Sequence, residues 1–246
     1  SRTFLFLHMA LPFFYLADYD PSIDEIELDE ENSRHIIQVL RMKNEEELHL
    51  TDGSGHLLLA RIIDDHKKKC KVQVVERTQR SPLTNHIIVA ISLLKNVNRF
   101  EWFLEKATEL GINEIIPLIC HRTVKEKFRH DRMEAILVSA MLQSQQCWLP
   151  KLHQPISFEL LLRQEEIIKT SGKFIAHCED GDKIKLSSLS GETHSSKVIL
   201  IGPEGDFTPE EIAFALQNHF VPVTLGETRL RTETAGMVAA TLLRLS

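Results

Sequence analysis

The sequence predicts an α/β protein in which a small strand-rich domain precedes a larger domain built on a mostly parallel sheet. Three observations predict it. Before about residue 80, short runs of strand-forming residues are separated by glycine-containing turns. Beyond it, short apolar runs alternate with segments whose apolar residues recur at three-to-four spacing. The composition, 43% hydrophobic and 26% charged over 246 residues, supplies a sizeable core and excludes a disordered chain.

In chain order, Thr3 to Ala17 reads TFLFLHMALPFFYLA, fifteen residues behind Arg2. That run is too short to span a bilayer as a helix. Pro12 interrupts it and no small-x-small cleavage pattern follows, so Phe13 to Leu16 is expected to form a first strand. Met9 is a candidate natural start, with residues 1–8 an upstream extension. Asn32 or Ser33 is expected to cap a short helix with Ile36, Ile37 and Leu40 on its buried face. Glu47–Thr51 and His56–Ile63 flank Asp52-Gly53-Ser54-Gly55, a hairpin signal whose glycines supply positive φ. A turn from Asp64 to Lys69 leads into Lys71–Glu76, where Val72 and Val74 share one face. These elements describe a small β-barrel domain over residues 1–80, joined by Arg80-Ser81-Pro82 to Asn85 to a second domain over residues 81–246.

In the second domain, His86–Leu94, Asn113–Ile119, Lys173–Cys178, Lys197–Gly202 and Phe220–Leu225 read as strands. Asn98 is expected to cap a helix with Phe100, Phe103, Leu104, Ala107 and Leu110 on one face, closed by Gly111. A second helix starts near Asp131 and carries Met133, Ile136, Leu137, Ala140, Met141 and Ser144 as its stripe. Thr208-Pro209-Glu210-Glu211 combines a cap, proline at the first helical position and glutamate three residues after the cap. A last helix is expected from about Thr234 to Leu245.

Lys and Arg number 29 against 35 Asp and Glu, so the net charge of −6 excludes a wholesale basic coat but not a local basic patch. The cysteines (Cys70, Cys120, Cys147 and Cys178) are scattered, with no C-x-x-C pair. A disulfide framework or metal ribbon is not expected, and a reducing cytoplasm is the natural compartment.

Two segments carry the chemistry. VILIGPEGD, residues 198–206, is a buried strand ending in Gly202-Pro203-Glu204-Gly205 just before the helix capped by Thr208. Glycines at a strand's carboxyl end let backbone approach a ligand closely. VTLGETRLRTETAG, residues 223–236, repeats the pattern with Arg229, Arg231, Glu233 and three threonines in a short loop. Either segment alone also reads as a plain strand-to-helix turn. Two glycine-containing strand ends, 24 residues apart and each opening a helix, favour a shared pocket. Neither is the G-x-G-x-x-G dinucleotide fingerprint.

IGPEGDFTPEE followed by LGETRLRTETAG resembles the C-terminal signature of the RsmE family, within the SPOUT methyltransferase class. LLKNVNRFEWFLEKATELGINEIIPL, residues 93–118, is similar to that family's first central segment, and HIIQVLRMKNEEELHLTDGSG, residues 35–55, to its PUA-like N-terminal domain. The resemblance runs from about Phe13 to the end of the sequence. It implies a trefoil-knotted C-terminal domain, S-adenosylmethionine as cofactor, a homodimer, and methylation at N3 of a uridine of 16S rRNA near the decoding region of the small ribosomal subunit. Carried over by position, Gly202, Pro203, Glu204 and Gly205 form one cofactor loop; Leu225, Gly226, Leu230 and Arg231 form the next, with Thr234 and Ala235 opening the closing helix; His177 lines a third wall. The sequence departs from the family pattern at Glu227-Thr228, where proline-arginine is usual, at Arg229, more often aliphatic, and at Gln145-Gln146, where an arginine usually follows Gln-Ser.

Uracil N3 attacks a methyl group only as its proton leaves, so such a site needs a proton acceptor or cations that stabilise the uracil anion. Arg231 is the candidate for the second role, because guanidinium offers fixed donors without titrating. Glu204 and Glu233 are candidates for the first, with helix capping or arginine orientation as the alternative for each. No metal is expected. Arg34 and Arg41 in the first domain, and Lys95, Arg99, Arg122 and Lys125 in the second, are the candidate RNA contacts. Two other readings remain open: a non-catalytic rRNA-binding or ribosome-assembly factor, and a SPOUT enzyme acting on another RNA position.

Overall fold

The computed structural model describes residues 10–124, 127–189 and 194–246, and the chain divides into two compact units. The first holds the described residues up to Pro82 together with Leu142–Trp148. Its five strands are β1 (Phe13–Tyr15), β2 (Glu25–Glu27), β3 (Glu47–Thr51), β4 (His56–Asp64) and β5 (Lys71–Gln79), in the order β1-β3-β4-β5-β2. The β1–β3 pair is parallel and the others are antiparallel. Along β4, Leu58, Ala60 and Ile62 alternate into a core shared with Phe14, Ile36, Leu48, Leu50 and Val72. Gly53 and Gly55 take φ of 71° and 94° in the expected turn, where Asp52 Oδ1 accepts from the Ser54 N–H. Leu142–Trp148 joins this unit through the Gly55 N–H, which donates to the Cys147 carbonyl at 2.8 Å.

The short helix, α1 (Glu30–Arg34), differs from expectation at both ends. Asp29 caps it, accepting from the Asn32 N–H at 2.7 Å, while Asn32 and Ser33 lie inside the helix and bond elsewhere. A π-helical turn, His35–Val39, then widens the spiral, with the Leu40 N–H reaching the His35 carbonyl. That widening keeps Ile36 buried but rotates Leu40 outward to 43% exposure. Leu40 is therefore not a core residue.

The second unit holds an eight-stranded sheet in which every pair is parallel, the expected class in its purest form. Its strands are β6 (His86–Ser92), β7 (Glu114–Ile119), β8 (Lys151–Leu152), β9 (Ile156–Ser157), β10 (Gly172–Ala176), β11 (Ile184–Lys185), β12 (Ser196–Ile201) and β13 (Val221–Thr224). The order is β11-β13-β10-β12-β6-β7-β8, with β9 also on β7. The helices are α2 (Val97–Glu109), α3 (His130–Gln143), α4 (Phe158–Leu162), α5 (Glu165–Lys169), α6 (Pro209–Gln217) and α7 (Thr232–Leu245). Alternate residues of β6 feed two cores. Ile87, Val89 and Ile91 pack with α2, α3 and α7, and Ile88 and Ala90 with α4 and α6.

Asn96, not Asn98, caps α2; its side chain accepts from the Asn98 N–H at 3.0 Å, so the helix begins two residues earlier than expected. The capping box at Thr208 and Glu211 forms as its residue types dictate. Arg231 occupies the N-cap position of α7, so that helix begins at Thr232, two residues before the expected start near Thr234. The chain leaves β12, passes through α6, and enters β13 on the far side of β10. It then returns past the carboxyl ends of β10 and β12 so that α7 packs on β6 and α2. This return is the crossing that a trefoil-knotted sheet domain requires, an arrangement that connections otherwise avoid. Among the described residues, no helix is long and apolar enough to cross a membrane.

Candidate active site

Parallel strands deliver their carboxyl ends to one edge, and in open α/β sheets that edge is where ligands bind. Here β10, β12 and β13 end around a cleft of about 850 Å³. One wall is Ala176, His177 and Cys178 with Lys183; a second is Ile201 to Glu204 with Asp206; a third runs from Val223 through Thr232 to Ala235; and Arg99 reaches in from α2.

Hydrogen bonds fix these loops to one another. The Thr232 hydroxyl donates to the Gly202 carbonyl at 2.9 Å. Asp206, in left-handed backbone at φ 65°, accepts from the Cys178 N–H at 2.8 Å and the Phe207 N–H at 2.7 Å. Lys183 Nζ donates to the His177 and Glu179 carbonyls at 3.0 and 2.8 Å, closing the loop after β10. Gly202 is favoured by close approach, because a Cβ there would stand 3.0 Å from the Phe207 ring, which would have to shift. Gly226 is obligatory by conformation, with φ at 154° and open space where a side chain would project.

The charges are mixed. Arg99 Nη1 donates to Glu204 Oε1 at 3.1 Å, and its Nε lies 3.7 Å from Glu233 Oε1. Burial first, and the nearby Lys183 cation second, push the His177 imidazole below its ordinary value, so the ring is neutral at pH 7. Its Nδ1 is buried without a partner, as is Glu233 Oε2. A neutral ring with a bare nitrogen and a glycine-lined opening fit an adenosyl-sized ligand carrying N–H and O–H donors. Among the described residues, no group of three or more His, Cys, Asp or Glu is arranged to hold a metal. Burial raises the Cys120 and Cys147 thiols and lifts Cys70 to about 11, so these cysteines are not reactive thiolates.

Of the residues singled out in the sequence, His177, Gly202, Pro203, Glu204, Leu225, Gly226, Leu230, Arg231 and Ala235 line this one cleft. Gly205 turns outward, its carbonyl accepting from Arg122 Nη1 at 2.6 Å. Thr234 is half-buried in the first turn of α7, and Glu233 is buried behind the wall at 7% exposure. Lys95 is exposed beyond β6, and Arg34 and Arg41 are exposed in the first unit, Arg34 paired with Glu30 at 2.5 Å. Lys125 lies outside the described residues. Sequence reasoning missed Asp206 and Lys183. Asp206 had a signal, since Asp tolerates left-handed backbone in a turn after glycine; Lys183 had none.

The family described as the RNA methyltransferase domain matches residues 79–244, and the one described as the RNA methyltransferase PUA domain matches residues 28–75. A ribosomal RNA small subunit methyltransferase E from Buchnera aphidicola is 30% identical over 244 residues, covering 95% of this chain and 93% of the relative. A crystal structure of a probable rRNA-methyltransferase from Porphyromonas gingivalis superposes with a TM-score of 0.84 at 33% identity, covering 94% of this chain and 95% of that one. A ribosomal RNA small subunit methyltransferase E from Neisseria gonorrhoeae, crystallised with S-adenosyl methionine, gives a TM-score of 0.82 at 28% identity, covering 94% and 95%.

Proposed function

Since the chain belongs to the RsmE family of RNA methyltransferases, we propose that it transfers a methyl group from S-adenosylmethionine to N3 of a uridine in 16S rRNA, near the decoding region of the small ribosomal subunit. One observation carries the reading: three strand-end loops, hydrogen-bonded to one another, enclose a single cleft with Arg231 at its rim. The enzyme works as a cytoplasmic homodimer in this reading, without a metal.

The cofactor, when bound, supplies an electrophilic methyl carried on a sulfonium. Gly202, Pro203, Leu225, Gly226, Leu230 and Ala235 provide backbone and apolar surface for it, and His177 Nδ1 accepts one of its donors. Thr234 lies in the first turn of α7, and Gly205, held by Arg122, fixes the outer end of the first loop. Arg231 faces the developing negative charge on the uracil carbonyl oxygens with donors that never titrate. Glu204 already accepts from Arg99, which suits it to orienting rather than to taking a proton. Glu233 is buried behind the cleft wall with one carboxylate oxygen beside Arg99, so it too is suited to orienting rather than to meeting the base. The N3 proton would leave to water, with Arg231 stabilising the uracil anion, as the base takes the methyl group that a bound sulfonium donor would supply. The target base is unpaired or extruded, as base chemistry requires. Arg34 and Arg41 on the first unit, and Lys95, Arg122 and Lys125 on the second, contact RNA phosphate.

Methyl incorporation into undermodified small subunits, mapped by nucleotide and by atom, tests this function. Label at uridine N3 is the expected result. Label at another position gives a different SPOUT substrate, and calorimetric absence of S-adenosylmethionine binding would leave only a non-catalytic rRNA-binding role.

A further inference from the structure

Arg99 stands where three elements converge. It sits in the first turn of α2, donates from Nη1 to Glu204 on the loop after β12, and places Nε 3.7 Å from Glu233 in the first turn of α7. The two carboxylates are 29 residues apart in sequence. Guanidinium is planar, so one edge hydrogen-bonds the loop after β12 while another stands at ion-pair distance from α7. Within this trio one cation faces two carboxylates, so its charge is already engaged inside the protein. Glu233 is held at Oε1 alone, and its Oε2 is buried and bare. A buried carboxylate oxygen without a partner is costly, and such atoms in a native structure point to a role in a site.

We propose that Arg99 is a positioning residue for methyl transfer: a strap tying the cofactor loop to the first turn of α7. By pairing with Glu233 it fixes the start of α7, and with it Arg231, the residue at that helix's N-cap position. Displacing such groups by about 1 Å costs on the order of 100-fold in rate. The inference rests on the methyltransferase reading and gives Arg99 a role other than an RNA phosphate contact.

The test compares wild type, Arg99→Ala and Arg99→Lys in methyl transfer to undermodified small subunits. Equilibrium binding of a 16S rRNA fragment across a salt series, and S-adenosylmethionine binding by calorimetry, accompany it. Wild-type turnover examines the underlying function separately: its absence would overturn that reading and this inference together. The strap predicts that both variants lose about 10- to 100-fold in kcat, with KM for RNA and the salt slope of binding unchanged. Lysine does not rescue, because an ammonium cannot span both carboxylates. Preserved kcat with a raised KM and a salt slope smaller by about one, or recovery by lysine, would show a phosphate contact and sink the strap. Because Arg99→Ala leaves two acids unscreened and can unfold the site, Arg99→Lys is also combined with Glu204→Gln. Losses no greater than those of the worse single variant support the strap, and additive losses overturn it.

Discussion

Thr232 Oγ1 donates to the Gly202 carbonyl across 2.9 Å, inside the protein, and so joins the first residue of α7 to the first residue beyond β12. Both halves of the candidate site therefore share one buried hydrogen bond. Whatever moves the start of α7 moves the floor of the cleft.

Thr232→Val keeps the side chain's shape and removes the donor. The Gly202 carbonyl is then buried without that partner, which costs about 1–3 kcal/mol. A lower denaturant midpoint is expected, together with weaker S-adenosylmethionine binding by calorimetry. Unchanged affinity would mean that the two loops hold their positions independently.

Gly236 lies in α7 against α2 and β6. A Cβ there would come 2.7 Å from Phe103 Cε2 and 2.8 Å from Ile91 Cδ1, both fully buried. Alanine gains about 1 kcal/mol in helix propensity but forces an overpacked core that costs about 1–3 kcal/mol. Packing wins, so Gly236→Ala lowers the thermal midpoint. A raised midpoint would show that the α2–α7 contact yields readily.

Much of both units was legible because the signals are local. The apolar run of β6 needs both faces covered, the Thr208 box dictates a helix start, and Gly53 and Gly55 dictate a turn. The cap of α1 was not legible because Asp29, Asn32 and Ser33 all cap well, and only tertiary bonds to Tyr15 and Leu28 choose among them. Two-residue strands such as β8, β9 and β11 exist only through their neighbours, so no local pattern announces them. The same holds for the return of the chain past β10 and β12, and for Leu142–Trp148 joining the first unit. At the site, the glycine-containing loops were visible as motifs. The link from Arg99 to Glu204 and Glu233 was not, since nothing in a one-dimensional string brings α2 to both loops.

Glu114 sets a pH dependence at the opposite, amino-terminal edge of the sheet. Its carboxylate accepts from His153 Nε2 at 2.5 Å and His86 Nε2 at 2.7 Å. The His153 hydrogen bond above all, reinforced by His86 and opposed by burial, holds the carboxyl at about 2, against an ordinary 4.5. A depressed carboxylate stabilises the fold above its unfolded value and loses that contribution as pH falls. The window therefore runs from about 4.5 down to about 2, and the contribution is about 2–3 kcal/mol. Glu114→Gln should lose stability at pH 6 and show a shallower decline in unfolding free energy across that window. Parallel curves for variant and wild type would remove Glu114 from the account.

Arg231 separates binding from chemistry. Its side chain reaches the rim of the cleft from the N-cap position of α7, whereas the loops that enclose the cleft are fastened by Thr232, Asp206 and Lys183. Removing its guanidinium leaves those fastenings intact, so Arg231→Ala should bind S-adenosylmethionine within about threefold of wild type. Transfer should fall by at least 100-fold, in line with the loss of a donor aimed at developing charge. Lysine at the position keeps the charge but not the paired donors, so Arg231→Lys should recover only part of the rate. Calorimetry and single-turnover methyl transfer on one preparation check both halves. If affinity and rate fell together, Arg231 would be a ligand of the cofactor, and the stabilisation of the uracil anion would have to come from elsewhere in the cleft.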